Sequence, residues 1–366
     1  MKHIMLISNS FGSLYNFRFE LIMKLLESYQ VTLVSPMEKN DYPHFEEFQK
    51  KGCRLMETPF KRRGKNPLKD LSLLQLYKKI LKRENPDLII TYTIKPNIYA
   101  GMAAAELKIP YFANVTGLGT AFEKEGLLKK FTTLLYKKGL KKCNLVFFQN
   151  QESCRIMKAL GILQGKAKMV AGSGINLDKF QLTDYPETEN YLYMARIMKE
   201  KGAEEFFDAA IRLKRKYPEI SFDVVGFCEE AYDRKIKDLT EQGILRYYGW
   251  RDDPETFIRN CSLLVNPSYH EGMSNVCLEA AATGRPMVVS DIPGCRETVT
   301  DGETGYLTAP ADAEDLYRKL EQFHLLPREE KIRMGKKGRE KMEQVFDRRK
   351  VVEDYCVEIR RILGET

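Results

Sequence analysis

The 366-residue sequence has no apolar run that approaches the roughly 20 residues of a membrane-spanning helix. Its first residues, MKHIMLIS, lead directly into a strand-like segment and lack the layout of a cleavable signal. The eight cysteines are scattered without a Cys-x-x-Cys pair, and the four histidines have no ligand spacing. These absences disfavour a membrane-embedded protein, a disulfide scaffold and a zinc site. They predict a cytosolic chain with reduced thiols.

The glycine-rich nucleotide motifs are incomplete. Neither the pair Gly117 and Gly119 nor the pair Gly172 and Gly174 has the third glycine of a dinucleotide-binding loop. The segment GILQGK (161–166) is one residue too short for a P-loop and lacks the following serine or threonine. No Asp-x-Asp pair lies in an apolar setting that suits a divalent metal on a diphosphate. The sequence therefore disfavours a nicotinamide enzyme and a P-loop enzyme, and it favours phosphate binding without a metal or cofactor.

Short apolar runs alternate with helical patterns along the whole chain, which is typical of α/β proteins with buried parallel strands. The predicted strands are 3–8, 31–35, 87–92, 111–114, 145–149, 191–195, 222–226, 263–266 and 287–290. The predicted helices lie near 15–28, 70–84, 96–107, 124–142, 151–160, 200–216, 229–242, 276–284, 311–323, 328–345 and 347–363. The polar segment 181–190 divides this pattern into two doubly wound domains joined by a hinge. Ligands bind beyond the carboxyl ends of parallel strands, so we expect the active site in a cleft between the domains.

Basic residues are concentrated in the first half of the chain. Residues 1–180 contain 30 Lys and Arg against 15 Asp and Glu, whereas residues 181–366 contain 29 against 36. This asymmetry predicts an anionic neighbour such as a membrane surface, a phosphate-bearing substrate or nucleic acid. The segment KRRGKNP (61–67) adds a basic loop.

Residues 125–143 combine an apolar stripe with flanking lysines. The stripe consists of Leu127, Leu128, Phe131, Leu134 and Leu135. Such a helix is suited to lie among anionic lipid headgroups, but a stripe that faces the protein core, with lysines in solvent, explains the same pattern. Nucleic-acid binding is disfavoured because aromatic side chains do not alternate with the cations.

Two glutamates flank a predicted helix start in the stretch HEGMSNVCLEAAATG. Glu271 lies in the turn after a strand, and Glu279 lies about one turn into the helix. Gly272 would let a ligand approach the backbone, and Ser274 or Asn275 would cap the helix. The helix amides and dipole suit a diphosphate. Equally, Glu279 would balance the helix dipole and Glu271 would be a solvated turn residue.

Two other strand ends carry candidate phosphate-binding residues. Arg196 and Lys201 follow a predicted strand and precede a helix, which is the arrangement of a phosphate clamp, although many such loops carry both residue types. After the first strand, Gly12 and Ser13 would let a ligand approach the backbone, and an ordinary turn explains them equally well.

Taken together, these motifs resemble the retaining glycosyltransferases of the GT-B fold, family four. The pattern Arg-x4-Lys-Gly at 196–202 and the pattern Glu-x7-Glu at 271–279 carry the resemblance. It extends to GINLDKF (174–180), YYGWRDD (247–253) and SDIPGCRETVTDGETGYL (290–307). The segments TYTIKPNIYAG (91–101) and NVTGLGTAF (114–122) are similar to the bacterial subgroup that builds capsule, O-antigen and N-glycan precursors on undecaprenyl diphosphate.

The resemblance implies roles for the candidate residues. Arg196 and Lys201 would grip the donor diphosphate and stabilise the leaving phosphate, and Glu271 would position the donor sugar, so these three are the predicted catalytic residues. Glu279 would bind the ribose hydroxyls. The further predicted donor-binding residues are Gly12, Ser13, Gly272, Met273, Ser274, Asn275 and Val276. Relatives often carry a first-domain histidine near the reacting sugar; here Thr93 and Lys95 occupy that region, and no general base is assigned.

The resemblance also implies the reaction and its partners. A hexose or N-acetylhexosamine would pass, with retention and without a metal or other cofactor, from a nucleotide-diphosphate sugar, with UDP favoured. The acceptor would be an undecaprenyl-diphosphate-linked glycan, with a soluble small molecule or a protein as the alternative. The acceptor-side domain would be 1–180 and the nucleotide-sugar domain 181–345, and the helix at 346–366 would cross back to the first domain. The enzyme would be cytoplasmic and peripheral on the inner face of the cell membrane, without nucleic acid as a partner.

Overall fold

The computed structural model describes residues 1–37, 41–59, 67–118, 122 and 126–365, with the backbone alone at 67–71. The chain divides into two compact units, which are Met1–Gly174 with Arg348–Thr366, and Ile175–Asp347. Each unit is built on one parallel sheet with helices, so the predicted α/β class with doubly wound sheets is confirmed.

The sheet of the first unit has seven parallel strands. These are β1 (His3–Ile7), β2 (Gln30–Ser35), β3 (Arg54–Glu57), β4 (Leu88–Tyr92), β5 (Tyr111–Val115), β6 (Leu145–Phe148) and β7 (Ala167–Met169). Their order is β3-β2-β1-β4-β5-β6-β7, so the direction of the strand order reverses between β1 and β4. Both of these strands are fully buried, because helices cover both faces of the sheet.

The second unit repeats this arrangement with six parallel strands. These are β8 (Asn190–Met194), β9 (Ser221–Val225), β10 (Arg246–Tyr247), β11 (Leu263–Asn266), β12 (Met287–Ser290) and β13 (Gly305–Thr308). Their order is β10-β9-β8-β11-β12-β13, and the reversal lies between β8 and β11. It matches the strand order of dinucleotide-binding folds, in which ligands bind at the reversal.

Helices connect the strands in both units. In the first unit they are α1 (Phe11–Leu26), α2 (Tyr42–Lys50), α3 (Pro67–Glu84), α4 (Gly101–Leu107), α5 (Leu127–Leu140) and α6 (Gln151–Ala159). In the second unit they are α7 (Ala203–Lys216), α8 (Asp233–Glu241), α9 (Pro254–Asn260), α10 (Asn275–Ala282), α11 (Ala313–His324) and α12 (Arg328–Lys341). The last helix, α13 (Arg348–Leu363), packs against α1 in the first unit through Tyr355 and Ile359. None of the helices in the described part of the chain has the length and hydropathy needed to cross a bilayer.

The strands that the sequence pattern did not predict are the edge strands β3, β7, β10 and β13. They are two to four residues long, and three of them are partly exposed, so they lack the continuous apolar run of a central strand. The short helices α2 and α9 were missed as well, because seven to nine residues give too little periodicity.

The segment 181–190, which was predicted to be the hinge, lies inside the second unit. The Arg285 side chain is 1% exposed and donates hydrogen bonds to the Thr183 hydroxyl and the Asp184 carbonyl, at 2.6 and 2.8 Å. Because a buried guanidinium holds this polar segment, the chain passes between the units at Gly174–Ile175 and Asp347–Arg348 rather than near residue 181.

Candidate functional site

The candidate residues of the second unit lie at the point where the strand order reverses. The loop after β8 carries Arg196 and Lys201, and the loop after β11 carries Glu271 and leads into α10. Strands β8 and β11 pair in parallel, with Val265 opposite Tyr193, so the two loops leave the same edge of the sheet side by side. Motifs far apart in sequence therefore form one site at the position where doubly wound sheets bind ligands.

An ion pair joins the two loops. The Lys201 Nζ lies 2.6 Å from the Glu271 Oε1, and the two side chains are 20% and 18% exposed. The Ser268 hydroxyl lies 3.0 Å from the same carboxylate oxygen. Glu271 is therefore not a solvated turn residue, because its carboxylate holds a largely buried ammonium group in place.

Arg196 presents a second cation beside this pair. Its side chain is exposed and makes no hydrogen bond or ion pair with any residue that the structure describes. The Tyr193 hydroxyl lies 3.1 Å from the carbonyl oxygens of both Arg196 and Lys201, and so it supports the backbone at both ends of the loop. The loop is thus fixed while its guanidinium remains available to an anion.

Tyr269 connects the loop after β11 to the elements that follow β8. Its amide donates to the Glu200 carbonyl at 2.9 Å, and its hydroxyl donates to the Glu205 Oε1 at 2.6 Å. Burial and the hydrogen bond to Glu205 raise the pKa of Tyr269, so the hydroxyl remains a donor at neutral pH. The two loops therefore keep a fixed spacing without a ligand.

Two glycines permit close backbone contacts with the loop that carries Glu271. Gly202 has φ +68°, and a Cβ there would lie 2.1 Å from the Pro267 carbonyl oxygen. Gly294 has φ +87°, and a Cβ there would lie 2.7 Å from the Gly272 carbonyl oxygen. A larger residue at Gly202 would separate the segments that carry Lys201 and Glu271, whereas one at Gly294 would push the Glu271 segment away from the loop after β12.

Helix α10 begins at the site with a weakly capped N-terminus. Ser274 occupies the N-cap position, but its side chain does not accept a hydrogen bond from the helix amides. Its Oγ instead accepts from the Asn266 Nδ2 at 2.7 Å, and the Asn266 Oδ1 accepts from the Ser268 hydroxyl at 2.6 Å. The amides and the positive dipole end therefore remain suited to an anion.

The other predicted donor-binding residues have different environments. Met273 and Ser274 are buried, at 6% and 2% exposure, so any contact they make with a donor is through the backbone. Asn275, Val276 and Glu279 are partly exposed on the first turns of α10.

Gly12 and Ser13 belong to the first unit, at the start of α1. The Gly12 amide donates to the Asp41 Oδ1 at 2.8 Å, and the Ser13 amide donates to the Ser10 Oγ at 3.2 Å. Both amides thus have acceptors within their own unit. A donor phosphate would have to displace the Asp41 carboxylate to accept a hydrogen bond from the Gly12 amide. Their role in donor binding stays a prediction.

An exposed aromatic pair was missed as a candidate. The rings of Phe227 and Trp250 are stacked, with centroids 5.6 Å apart and planes at 17°, and the residues are 54% and 50% exposed. They follow β9, which pairs with β8, and β10, the edge strand beyond β9. The Phe227 carbonyl accepts from the Ile197 amide at 2.8 Å. The motif YYGWRDD contains this tryptophan, but a sequence does not show that an aromatic ring is exposed.

Comparisons with known protein families match both halves of the chain. Residues 3–150 match the family described as "Glycosyl transferase 4-like", and residues 175–341 match "Glycosyl transferases group 1". These matches, the fold and the site define a glycosyltransferase, so the chain is an enzyme, as the motifs predicted. It belongs to the GT-B glycosyltransferases of family four.

Relatives and solved structures cover most of the chain. It is 30% identical over 350 residues to the N,N'-diacetylbacillosaminyl-diphospho-undecaprenol alpha-1,3-N-acetylgalactosaminyltransferase of Campylobacter jejuni, covering 90% of each chain. It is 29% identical to the UDP-Gal:alpha-D-GlcNAc-diphosphoundecaprenol alpha-1,3-galactosyltransferase of Escherichia coli, covering 69% of this chain and 70% of that one. The sucrose-phosphate synthase of Thermosynechococcus elongatus has the same fold, with a TM-score of 0.80, 18% identity and full coverage of both chains.

Proposed function

We propose that this enzyme transfers a hexose or N-acetylhexosamine from a UDP-sugar to an undecaprenyl-diphosphate-linked glycan in surface polysaccharide synthesis. The transfer retains the anomeric configuration, needs no metal ion, and takes place on the inner face of the cell membrane. The observation that carries the proposal is the Lys201–Glu271 pair beside Arg196 and the α10 N-terminus. The names of the Campylobacter jejuni and Escherichia coli relatives support the lipid-linked acceptor, and the second name supports UDP.

The site is suited to stabilise a departing nucleotide diphosphate. As the bond from the anomeric carbon to phosphate breaks, negative charge grows on the phosphate oxygens. Arg196, Lys201 and the amides of α10 supply fixed positive charge and hydrogen-bond donors there without a metal ion. A preorganised donor of this kind contributes about 3 kcal/mol to lowering the barrier.

The remaining groups are suited to the sugar and nucleoside. Glu271 and Glu279 accept hydrogen bonds from hydroxyl groups, as carboxylates do well. The exposed faces of Phe227 and Trp250 offer the uracil base a stacking surface beside the loop of Arg196. Each part of a UDP-sugar therefore has a complementary group at one edge of one sheet.

The exposed surface of helix α5 supports the proposal of a lipid-linked acceptor at a membrane. Four residues of its apolar stripe are exposed, namely Leu127 at 86%, Leu128 at 59%, Phe131 at 49% and Leu134 at 52%. The face of α5 that packs on the unit carries Thr132, Tyr136, Gly139 and Leu140. The fifth residue, Leu135, packs against the core, so the four exposed residues rather than the whole stripe form a face that the unit leaves uncovered. Exposed apolar side chains flanked by lysines are typical of a helix that lies in anionic headgroups.

The positive charge of the first unit also supports an anionic, lipid-linked acceptor. Its residues include 34 Lys and Arg against 18 Asp and Glu, whereas those of the second unit include 25 against 33. The basic loop predicted at 61–67 lies outside the described residues, except for Pro67 at the start of α3. A basic surface raises the local concentration of anionic lipids and of a diphosphate-linked acceptor.

The reaction is tested with the full chain, UDP-sugars and a synthetic lipid-linked diphosphate glycan. We expect a product one sugar larger, with the anomeric configuration of the donor retained by NMR, and an unchanged rate in excess EDTA. An inverted product, or a rate abolished by EDTA and restored by a divalent ion, would contradict the mechanism. Transfer only to soluble acceptors would contradict the lipid-linked acceptor.

Membrane binding is tested by sedimentation with liposomes that contain phosphatidylglycerol. We expect the chain to pellet at low ionic strength, to be released by salt, and to remain in solution when Phe131 and Leu134 are changed to Gln. The matched control changes the exposed Leu325 of the second unit, at 65% exposure, to Gln and should still pellet. Pelleting of the α5 variant to the same extent as the native chain would exclude α5 as the membrane contact.

A further inference from the structure

Ser274 occupies the N-cap position of α10 but does not cap the helix. Its backbone has φ −77° and ψ 103°, an extended conformation in which a serine side chain can accept from the helix amides. Three other N-cap residues with extended backbone accept from the third amide of their helix, at 2.8 to 3.2 Å, namely Ser10 on α1, Asn150 on α6 and Asp312 on α11. The Ser274 hydroxyl is therefore held away from a position that its backbone allows.

Asn266, the last residue of β11, holds this hydroxyl. Its Nδ2 donates to the Ser274 Oγ at 2.7 Å and lies 3.2 Å from the Cys277 Sγ. Its Oδ1 accepts from the Ser268 hydroxyl at 2.6 Å. The Asn266 side chain is 5% exposed, so little water competes for these bonds, and they fix the direction of the Ser274 hydroxyl.

The first amides of α10 belong to Asn275, Val276 and Cys277. The first amides of an α-helix have no partner within the helix, and they can bind an anion when no side chain occupies them. The loop that leads into α10 carries Glu271, which holds the Lys201 ammonium at 2.6 Å. A serine that capped α10 would therefore occupy hydrogen-bond donors beside the cation that a phosphate would bind.

We propose that Asn266 is a positioning residue, which binds the Ser274 hydroxyl so that the first amides of α10 stay available to the donor diphosphate. Without Asn266, the hydroxyl would turn to these amides and compete with the phosphate. Ser268 would keep an acceptor, because the Glu271 Oε1 lies 3.0 Å from its hydroxyl. The identity of the anion rests on the proposed function, whereas the hold on Ser274 does not.

The first test changes Asn266 to leucine, which has a similar shape but no hydrogen-bond donor. We expect Asn266→Leu to weaken UDP binding about fivefold in calorimetry, since a serine cap stabilises a helix by about that factor. Adding Ser274→Ala to Asn266→Leu should restore most of the affinity, because no hydroxyl then remains to occupy the amides. A residue that only supported the fold would not give this rescue, since a second loss of a polar group does not repair a damaged fold.

Asn190 provides the matched control. It is also 5% exposed, and its Nδ2 donates to the Asp223 Oδ2 at 2.7 Å. It begins β8, whereas Asn266 ends β11, so the two amides lie at opposite edges of one parallel sheet. Asn190→Leu should therefore bind UDP as the native chain does.

A second measurement needs no ligand. Hydrogen exchange at residues 275–277, followed by mass spectrometry, should be slower in Asn266→Leu than in the native chain, because the released hydroxyl now caps these amides. Exchange should be fast again when Ser274→Ala is added. Asn190→Leu should exchange at these residues as the native chain does.

Unchanged exchange in Asn266→Leu would overturn the proposal, and so would a loss of UDP affinity that Ser274→Ala does not restore. If Asn266→Leu does not unfold cooperatively, the same comparisons are made with Asn266→Ala, and they decide in the same way.

The two proposals fail separately. Sugar transfer by a chain in which Asn266→Leu keeps the native exchange would remove only the role of Asn266. Slowed exchange that Ser274→Ala reverses, in a chain that neither binds UDP nor transfers sugar, would remove only the proposed reaction and would leave Asn266 as the residue that keeps these amides free.

Discussion

The two units share the order of six strands, to which the first unit adds β7, but they differ at the carboxyl edge of the sheet. In the second unit, polar groups that follow β8 pair with polar groups that follow β11, as in Lys201 with Glu271 and Glu205 with Tyr269, and Arg196 alone of the candidate cations stays unpaired among the described residues. In the first unit, the hydroxyls of Ser8, Tyr92 and Thr93, at the ends of β1 and β4, are buried without a partner in the described chain.

The difference shows that the fold determines where a site lies, but not whether its polar groups are already held in place before a ligand binds. At the edge of the second unit, close glycine contacts and an ion pair fix the charges before a ligand arrives, which lowers the cost of reorganisation during the reaction. At the carboxyl edge of the first unit, by contrast, buried hydroxyls lack hydrogen-bond partners and one residue is strained. This favours a site in which a ligand or water supplies the missing hydrogen bonds. Both edges are positions where doubly wound sheets bind ligands, yet their chemistry differs.

The largest effect is expected at Lys201, whose charge would stabilise the leaving phosphate. Lys201→Ala should lower kcat by about a hundredfold to a thousandfold, the usual effect of losing one preorganised donor. Lys199→Ala, an exposed change in the same turn, should leave kcat nearly unchanged. Single-turnover rates measure both variants, and a Lys201→Ala rate within threefold of the native rate would show that this edge is not the catalytic one.

The next test concerns the close contact between the loop after β8 and the loop after β11. Gly202 and Gly243 have nearly the same φ, +68° and +69°, but only Gly202 has a carbonyl oxygen within 4 Å of a Cβ position. Both Ala variants carry the strain of the left-handed region, of roughly 1–2 kcal/mol. Only Gly202→Ala adds the clash with Pro267, and it should lose about 2–4 kcal/mol of unfolding free energy in total.

Urea unfolding measures the two variants, and sugar transfer is assayed in parallel. Gly243→Ala should retain the native rate, whereas Gly202→Ala should lose activity even where it remains folded, because Lys201 and Glu271 move apart. Equal stability losses in the two variants would mean that the loops are not held as closely as this contact indicates.

The sequence predicted the parts of this architecture that depend on continuous patterns. Buried parallel strands such as β1 and β4 are apolar apart from His3 and Thr91, so burial on both faces is visible in the sequence itself. Edge strands such as β10, which has two residues, carry no such signal. Their position depends on pairing with a neighbour, which the sequence does not show.

The charged residues of the candidate site were predicted from their position after strand ends. Lys201 and Glu271 were found in this way, but their contact depends on the pairing of β8 with β11. Asn266, the last residue of β11, was missed because its amide joins the buried hydroxyls of Ser268 and Ser274 only in the folded unit. The sequence also left open whether the apolar stripe of α5 faces the core, since periodicity identifies a face without saying what covers it.

A smaller loss of function is expected at Trp250, because this uncharged side chain would contact the base of the donor and not the leaving phosphate. Trp250→Leu should weaken UDP binding about tenfold, in the range for loss of one base-stacking contact, with little change in kcat. Leu182→Ala, an exposed apolar change elsewhere in the second unit, is the control. Calorimetry measures the variants, and the fluorescence of this single tryptophan should respond to UDP in the native chain. Unchanged UDP affinity in Trp250→Leu would exclude the aromatic pair from the nucleotide site.

The smallest effect on stability, and the sharpest test of the first unit, is expected at Thr93. It has φ +73°, an outlier for a β-branched residue, and its hydroxyl is buried without a partner in the described chain. Thr93→Gly relieves this strain and should raise the free energy of unfolding by up to about 1 kcal/mol. Lys108→Gly, at φ +58° on the C-cap of α4, should give a similar gain.

The two variants should differ in activity. If Thr93 is held in a strained conformation to present its hydroxyl to the acceptor, Thr93→Gly should raise the KM for the acceptor, and Lys108→Gly should not. Thermal unfolding and steady-state kinetics with a varied acceptor measure both effects. A stabilised Thr93→Gly chain with native kinetics would show that the strained conformation of Thr93 has no part in the reaction.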